Sequence, residues 1–269
     1  MCRHLAYTGP PVTLGELLLA PSHSLYRQSW APRRQRNGTV NADGFGVGWY
    51  AEGDPVPARY RRAGPIWADP GLTDLARVVR SGALLGAVRD ATLPGADGEA
   101  AAAPFAAGPW LFSHNGSVGG WPGSLAAPAA ALPAEELLAL AARNDSALVW
   151  ALLLHRLRAG EEPGAGPHSP PWSRLPSQDL GQALADTVTE VAREAPASRL
   201  NLLVTDGARI AATAWGDSLW YLPDPGRRSV AVASEPYDDD SRWREVPDRT
   251  LLVATRDDVL LTPLKEPSA

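Results

Sequence analysis

The segment Leu200–Trp215, with the sequence LNLLVTDGARIAATAW, contains two apolar runs of strand length, Leu200–Thr205 and Ile210–Trp215. Four further short runs follow it, and each predicts another strand: Leu219–Leu222, Val230–Ser234, Leu251–Ala254 and Val259–Leu261. Strands are also predicted in the N-terminal half, and the longest helical patterns lie between the two groups. This order predicts two sheets with helices outside them, and it argues against regular βαβ alternation.

The N-terminal half carries shorter signals. A strand over Leu5–Thr8 is predicted to stop at Pro10 and Pro11, and Thr13 with Glu16 forms a capping box that opens a short helix. The other predicted strands are Gly46–Tyr50 and Arg59–Arg62, which pair as a hairpin, Ala83–Val88 and Leu111–His114. The other predicted helices are Asp69–Val79, Ala134–Arg143, Ser146–Ala159 and Ser177–Glu194, and residues 94–109, 119–133 and 161–176 are predicted loops.

Composition and charge limit the kinds of partner. The chain has 269 residues, 45% of them hydrophobic, and a formal net charge of −5. Its 25 lysines and arginines form no long run, which argues against a nucleic-acid partner. Apolar stretches such as Ala147–Leu154 fall far short of the roughly 20 residues that span a bilayer, and no secretory signal follows Met1. We therefore expect a cytoplasmic protein that acts on a small molecule, away from membranes.

The chain contains one cysteine, Cys2, directly after the initiator methionine. A single cysteine excludes an intrachain disulfide and the cysteine-based zinc sites. Because methionine is normally removed before a residue as small as cysteine, we expect the mature chain to begin at Cys2. Its free α-amine, with an ordinary pKa of about 7.7–8.0, can then take the thiol proton near neutral pH. The alternative is that Cys2 is a small residue near a mobile terminus.

Three polar segments are candidates for the rest of a site. Asn115 and Gly116 follow an apolar strand, where a side-chain amide and a backbone N–H can form an oxyanion hole, although Asn-Gly is also a common hairpin turn. Arg89 ends a predicted strand and can bind a carboxylate or form a surface ion pair. Asp145 lies between two predicted helices, where it either caps the second helix or faces an ammonium group.

The sequence gives less support to three other kinds of site: a nucleotide loop, a papain-like catalytic set and a metal site. The glycine-rich segment Asn41–Trp49 lacks the spacing of a nucleotide loop and leads into a strand, so its glycines more readily allow close approach of the backbone to a ligand or to the N-terminus. A papain-like set of Cys2, His114 and Asn115 is disfavoured because neighbouring strand residues face opposite ways. The five histidines show no metal-ligand spacing, so no metal site is predicted.

The order of these motifs is more specific than any one of them. Cys2 is followed by Asp-Gly-Phe-Gly-Val-Gly-Trp at 43–49, Arg-Asp-Ala-Thr at 89–92, Ser-His-Asn-Gly at 113–116 and Asn-Asp-Ser at 144–146. This series resembles the class II glutamine amidotransferases, members of the N-terminal-nucleophile hydrolase superfamily. The stretches Met1–Leu5, Ala31–Arg36 and Ser234–Asp240 look like the ergothioneine-pathway amidohydrolases of that family. The resemblance covers nearly the whole chain and implies one domain over residues 1–269.

The resemblance implies a fold and a set of roles. The fold would be α+β, a four-layer αββα sandwich of two antiparallel sheets. Cys2 would be the nucleophile and its α-amine the base, while Asn115 and Gly116 would hold the oxyanion. Substrate binding would involve the residues Arg89 for the α-carboxylate, Thr92, Asp145 for the α-ammonium, His114, Ser234 and Tyr237. No metal or cofactor is implied.

Three functions stay open at this point. The resemblance favours an amidohydrolase that removes the γ-glutamyl group from γ-glutamyl-hercynylcysteine sulfoxide. A glutaminase subunit that supplies ammonia to a separate synthetase is the alternative, and a binding module without catalysis is the third. For the leaving group, Trp30, Tyr237 and the turn 238–240 are candidates because a trimethylammonium group favours aromatic faces and carboxylates. The sequence leaves homo-oligomerisation undecided.

Overall fold

The structure, a computed structural model, describes residues 2–36, 38, 40–91, 98–159 and 179–265. The strands in these ranges are β1 (Arg3–Thr13), β2 (Phe45–Trp49), β3 (Ala58–Arg62), β4 (Arg80–Val88), β5 (Phe105–Ala107), β6 (Trp110–Ser117), β7 (Arg199–Thr205), β8 (Ile210–Ala214), β9 (Trp220–Asp224), β10 (Ser229–Ala233), β11 (Arg244–Glu245), β12 (Thr250–Ala254) and β13 (Val259–Pro263). The α-helices there are α1 (Leu14–Leu18), α2 (Leu25–Gln28), α3 (Pro70–Val78), α4 (Ala126–Ala130), α5 (Ala134–Leu138), α6 (Asp145–Arg158) and α7 (Leu180–Glu194).

The strands form two antiparallel sheets that lie face to face. One sheet has seven strands in the order β11-β9-β10-β1-β4-β2-β3, and the other has six in the order β13-β12-β8-β7-β6-β5. Helices α1 to α3 pack on the seven-stranded sheet, and α6 and α7 pack on the six-stranded sheet. Apolar side chains such as Ala6, Leu85, Leu111 and Leu203 fill the space between the sheets. The expected α+β sandwich with helices outside is confirmed.

Strand β1 lies inside the seven-stranded sheet, between β4 and β10. Its residue Leu5 pairs with Ala233 of β10 and with Gly86 of β4. The strand was predicted to stop at its two prolines, and that prediction is wrong. Its register with β4 shifts between Thr8 and Val12, so the prolines lie in a bulge, where a missing backbone N–H is tolerated.

Strand β6 continues through Asn115 and Gly116, which sequence analysis placed at the end of a strand and in a turn. The two residues pair with Asn201 and Leu200 of β7. A Cβ atom at Gly116 would collide with the carbonyl group of Arg199, so the close approach of two strands requires glycine here. Long-range pairing therefore overrides a local turn signal.

The helix starts follow capping chemistry. The capping box of Thr13 and Glu16 is confirmed at α1. Helix α6 begins with Asn144 as its N-cap, whose side chain accepts a hydrogen bond from the Ala147 N–H, so Asp145 is the first helical residue and not the cap. Asp179 caps α7, and the predicted cap Ser177 lies outside the described residues, as does the predicted loop 161–176.

The core lies in three layers, one between the sheets and one under each set of helices. Phe112 of β6 stacks on Trp150 of α6 with ring centroids 5.2 Å apart, so the outer helix is fixed to the strand that carries Asn115. In the part of the chain that the structure describes, no helix is long and apolar enough to cross a membrane.

We expect Leu153→Ala to destabilise the protein by about 2–5 kcal/mol, because this fully buried side chain of α6 would leave a cavity in the core. Urea unfolding followed by circular dichroism measures the change. Leu138→Ala is the matched control, since Leu138 is 87% exposed, and we expect its effect to stay within about 0.5 kcal/mol. Equal effects of the two substitutions would contradict the layered core.

Candidate active site

A cavity of about 200 Å³ lies where β1 begins. Four of the predicted site residues line it together: Cys2, Arg89, Gly116 and Asp145. They come from distant parts of the chain, because Cys2 precedes β1, Arg89 follows β4, Gly116 lies in β6 and Asp145 begins α6. The fold therefore brings together a thiol, a cation and a carboxylate in one concave site.

Opposing effects act on the Cys2 thiol. Burial is the largest of them and raises its pKa above the ordinary value. The positive charge of the chain's amino terminus, a hydrogen bond from the Asp90 backbone and the charge of Arg89 all lower this pKa, while Asp145 raises it. The thiol thus needs a proton acceptor at neutral pH, and the arginine beside it stabilises the thiolate once it forms.

Asn115 is fully buried beside Gly116, and Ser234 fixes its side-chain amide. Asn115 Nδ2 donates a hydrogen bond to Ser234 Oγ at 3.3 Å. The same oxygen accepts the backbone N–H of His4 at 3.0 Å, and the Ser234 N–H donates to the His4 carbonyl at 2.9 Å. Ser234 was predicted to bind substrate. The structure shows it as a buried link between Asn115 and His4, and its contact with substrate stays a prediction.

His114 lines a smaller cavity that adjoins Cys2 and Arg89. Its Nε2 lies 2.9 Å from the Arg199 carbonyl oxygen and its Nδ1 lies 3.0 Å from Ser146 Oγ. A carbonyl oxygen only accepts hydrogen bonds, so Nε2 carries the proton and donates it. Both ring nitrogens are therefore occupied by contacts within the chain, and these contacts connect β6 to α6 and β7.

Arg89 is braced by the glycine-rich segment that sequence analysis placed near a ligand or the N-terminus. Its Nη1 donates to the Asp43 carbonyl at 3.2 Å, and its backbone N–H donates to the Gly44 carbonyl at 2.8 Å. The Asp43 carboxylate accepts the Ala91 N–H at 2.7 Å. These contacts hold the end of β4 and leave most of the guanidinium's five N–H groups for other partners.

Asp145 carries a carboxylate that is partly used by the chain. Its Oδ2 accepts the Val118 N–H at 2.9 Å, and its Oδ1 accepts the Ser146 N–H at 2.8 Å. A carboxylate has about four acceptor positions, so it can also bind a cation in the cavity. Its place in the first turn of α6 is favourable for a negative charge.

Tyr237 and Trp30 do not line the cavity with Cys2. Tyr237 borders a different cavity of about 490 Å³, together with Tyr7 and Asp240. Trp30 packs edge-to-face on Tyr26 and Trp67 in the outer helical layer. Thr92 lies outside the described residues. The structure therefore gives no support to a role of Tyr237 or Trp30 beside the thiol.

Sequence reasoning missed several residues of the site. Trp121, Arg143 and Ser146 line the cavity with Cys2, and the two residues that follow Cys2, Arg3 and His4, are fully buried. Burial lowers the pKa of His4 to about 3, so its ring is neutral near pH 7. Arg3 and His4 stand in the stretch that carried the resemblance, but they precede the strand predicted over Leu5–Thr8, so their burial in β1 was missed. Nothing in the Gly- and Pro-rich segment around Trp121 indicated a site.

The described residues contain no group of three histidine, cysteine, aspartate or glutamate side chains that could hold a metal ion. The cavity is lined by a thiol, an arginine and a carboxylate, and the buried Asn115 amide stands next to Gly116 of its lining, a set of groups that suits acyl transfer. Such a set can attack a carbonyl, stabilise the oxyanion and hold a zwitterionic head group.

Residues 18–225 match the sequence profile of the class-II glutamine amidotransferases. The chain belongs to this family. It is 39% identical over 266 residues to the gamma-glutamyl-hercynylcysteine sulfoxide hydrolase of Mycolicibacterium smegmatis, and the match covers 98% of this chain and 100% of the relative.

Solved structures agree with this assignment. A class-II glutamine amidotransferase domain protein from Silicibacter pomeroyi, 25% identical, superposes with a TM-score of 0.66 over 100% of both chains. The glutamine phosphoribosylpyrophosphate amidotransferase of B. subtilis, 14% identical, has a TM-score of 0.59 over 98% of this chain and 49% of its own. The latter likeness concerns the fold alone, which is that of the N-terminal-nucleophile hydrolases.

We expect alkylation of Cys2 by iodoacetamide to rise with pH around a midpoint above that of an exposed cysteine, because burial raises the thiol pKa. Intact-mass spectrometry measures the rate without ambiguity, since the chain has one cysteine. Arg89→Gln should move the midpoint higher, because Arg89 lowers this pKa. A midpoint equal to that of the unfolded protein would contradict the placement of the thiol.

Proposed function

We propose that the chain hydrolyses γ-glutamyl-hercynylcysteine sulfoxide to glutamate and hercynylcysteine sulfoxide, a step of ergothioneine biosynthesis. The observation that carries this proposal is the identity of 39% to a hydrolase of that name, which extends over the full length of the relative. A similar identity, 39% over 267 residues, is found with the Mycobacterium tuberculosis protein of the same name. The cavity beside Cys2 supplies the groups that such a reaction requires.

In this proposal the nucleophile is the Cys2 thiol. Once Met1 is removed, Cys2 also carries a free α-amine, so the thiol and a base lie on one residue. The amine accepts the thiol proton. Such a base is needed because burial raises the pKa of the thiol. The thiolate then attacks the γ-carbonyl carbon of the substrate, and a C–S bond forms. The positive charge of Arg89 stabilises the negative sulfur before attack.

The tetrahedral oxyanion would lie between the Asn115 side-chain amide and the Gly116 N–H. Ser234 supports this role because it holds one side of the Asn115 amide, so the donor does not have to reorganise during the reaction. Collapse of the intermediate breaks the C–N bond. The leaving amine takes the proton from the Cys2 ammonium, and a γ-glutamyl thioester remains.

The glutamyl head group carries a carboxylate and an ammonium, and the cavity offers one partner for each. Arg89 would bind the α-carboxylate, and Asp145 would bind the α-ammonium with the acceptor positions that Val118 and Ser146 leave. Both residues line the cavity with Cys2. This pairing fixes the γ-carbonyl relative to the sulfur.

Water completes the reaction. The α-amine removes a proton from a water molecule, the resulting hydroxide attacks the thioester carbon, and the C–S bond breaks. Glutamate leaves, and the thiolate takes the proton from the ammonium, which becomes the free amine again. The net reaction consumes one water molecule for each amide bond and returns Cys2 to its starting state.

The remaining expectations fit this proposal. We take residues 1–269 as one class II glutamine amidotransferase domain in the cytoplasm, whose partner is a small γ-glutamyl compound. The contacts of the site join the first residues of the chain to β10 and α6, which supports one domain. Homo-oligomerisation stays a prediction.

We expect the purified protein, with Met1 removed, to release glutamate from γ-glutamyl-hercynylcysteine sulfoxide much faster than from glutamine at equal concentration. Enzymatic determination of glutamate measures both rates. Cys2→Ala should abolish release, because the nucleophile is lost, and its thermal unfolding should match the wild type. Residual turnover in this variant would contradict the role of Cys2.

A preference for glutamine would favour the alternative function, a glutaminase that supplies ammonia to a separate synthetase. A yeast relative supports keeping this alternative, since the chain is 25% identical to a probable glutamine amidotransferase of Saccharomyces cerevisiae. Release from neither substrate, with Met1 shown to be absent by mass spectrometry, would leave the catalytic proposal without support.

We expect Arg89→Gln to lower kcat/KM for the γ-glutamyl substrate about 10- to 200-fold, because one charge-assisted contact worth about 1.5–3 kcal/mol is lost. Steady-state kinetics measures the change. Arg77→Gln on the exposed face of α3 is the control, and its kinetics should equal those of the wild type. Unaltered kinetics of Arg89→Gln would remove Arg89 from the site.

A further inference from the structure

Arg3 is a fully buried arginine that directly follows the proposed nucleophile. A buried guanidinium is costly unless carboxylates compensate its charge. Burial lowers the pKa of Arg3, while the negative charges of Glu235 and Asp217 raise it. Because burial of this charge costs free energy, we infer that Arg3 does more than fill space in the core.

The guanidinium contacts the backbone of the nucleophile itself. Arg3 Nε donates a hydrogen bond to the Cys2 carbonyl oxygen at 2.8 Å. The torsion angle ψ of Cys2 relates this carbonyl to the Cys2 nitrogen, and ψ together with χ1 relates it to the sulfur. When the carbonyl is held, the directions of the nitrogen and of the Cβ–Sγ bond are restricted.

The carboxylates around Arg3 are themselves fixed. Glu235 is fully buried, and it accepts the backbone N–H groups of Arg33 at 2.9 Å and Arg34 at 2.7 Å. Asp217 is 7% exposed and lies 3.6 Å from the Arg199 guanidinium. Arg3 therefore lies in the field of two carboxylates that are held in place by their own contacts.

We propose that Arg3 is a positioning residue of the reaction, which holds the Cys2 carbonyl so that thiol and α-amine face each other and the γ-carbonyl. This role rests on the proposed function, because it presumes that Cys2 is the nucleophile. Arg3 itself does not line the cavity with Cys2, so it acts through the backbone and not on the substrate. The rival explanation is that Arg3 only neutralises Glu235 and Asp217.

Arg3→Lys separates the two roles. The lysine ammonium keeps the positive charge near the carboxylates, but the chain then has a methylene group where Nε donated its N–H. We expect kcat for glutamate release to fall about 10- to 100-fold, because small misplacements of reacting groups have effects of this size. KM should stay within about twofold, because the cavity is unchanged. Retention of wild-type kcat would overturn the proposal and leave charge neutralisation.

A second readout does not depend on the leaving group. A diazoketone analogue of glutamine labels a nucleophilic cysteine in a glutamyl site, and intact mass gives its rate. Labelling of Arg3→Lys should slow in parallel with kcat. If the wild type is labelled but does not hydrolyse the sulfoxide, the proposed substrate is wrong while the labelling comparison still tests Arg3. If the wild type is neither labelled nor active, both proposals fail.

Two further variants test whether a loss of kcat could come from misfolding. Arg3→Met combined with Glu235→Gln removes opposite charges together, and this double variant should fold and show the same loss of kcat as Arg3→Lys. Wild-type kcat in the double variant would overturn the proposal. Arg156→Lys is the matched control, since Arg156 forms a partly buried ion pair with Glu190 at 2.8 Å between α6 and α7. Its kcat should equal that of the wild type.

Discussion

The pairing of β1 on both sides is the constraint on which the site depends. Chain termini are usually mobile, but Leu5 is fixed by Gly86 on one side and by Ala233 on the other. The residues that follow these partner strands, Arg89 and Ser234, are thereby placed beside the first residues of the chain. Because β1 is the central strand of its sheet, the start of the chain is held firmly beside the cavity.

The second sheet supplies the groups that a single strand cannot. Asn115 reaches across the space between the sheets to Ser234, whereas His114, the neighbouring residue, faces the outer helix and binds Ser146. Because successive residues of a strand face opposite sides of the sheet, His114 and Asn115 make their contacts on opposite sides of β6. The buried polar side chains at the start of β1 are compensated in two ways, since His4 is neutral near pH 7 and the charge of Arg3 is offset by Glu235 and Asp217.

The hydrophobic pattern predicted most strands and the two-sheet arrangement. It succeeded because each apolar run forms a strand that pairs with a neighbouring strand in one of the two sheets. It failed where local signals conflicted with long-range pairing, at the prolines of β1 and at Asn115-Gly116 of β6. The resemblance supplied four residues that line the cavity, Cys2, Arg89, Gly116 and Asp145, but it gave no role to Trp121, Arg143 or Ser146. The separate location of Tyr237 and the contact of Arg3 with the Cys2 carbonyl were not predictable, since both depend on how distant parts of the chain pack together.

The register of β1 with β10 has a consequence for the timing of synthesis. Ribosomes add about 5–20 residues per second, so Ala233 follows Leu5 by roughly 10 to 50 s. Strand β4 is available much earlier, but the other edge of β1 has no partner until β10 has left the ribosome. During this interval the start of the chain is accessible to enzymes that process nascent proteins. Completion of the C-terminal strands then encloses it.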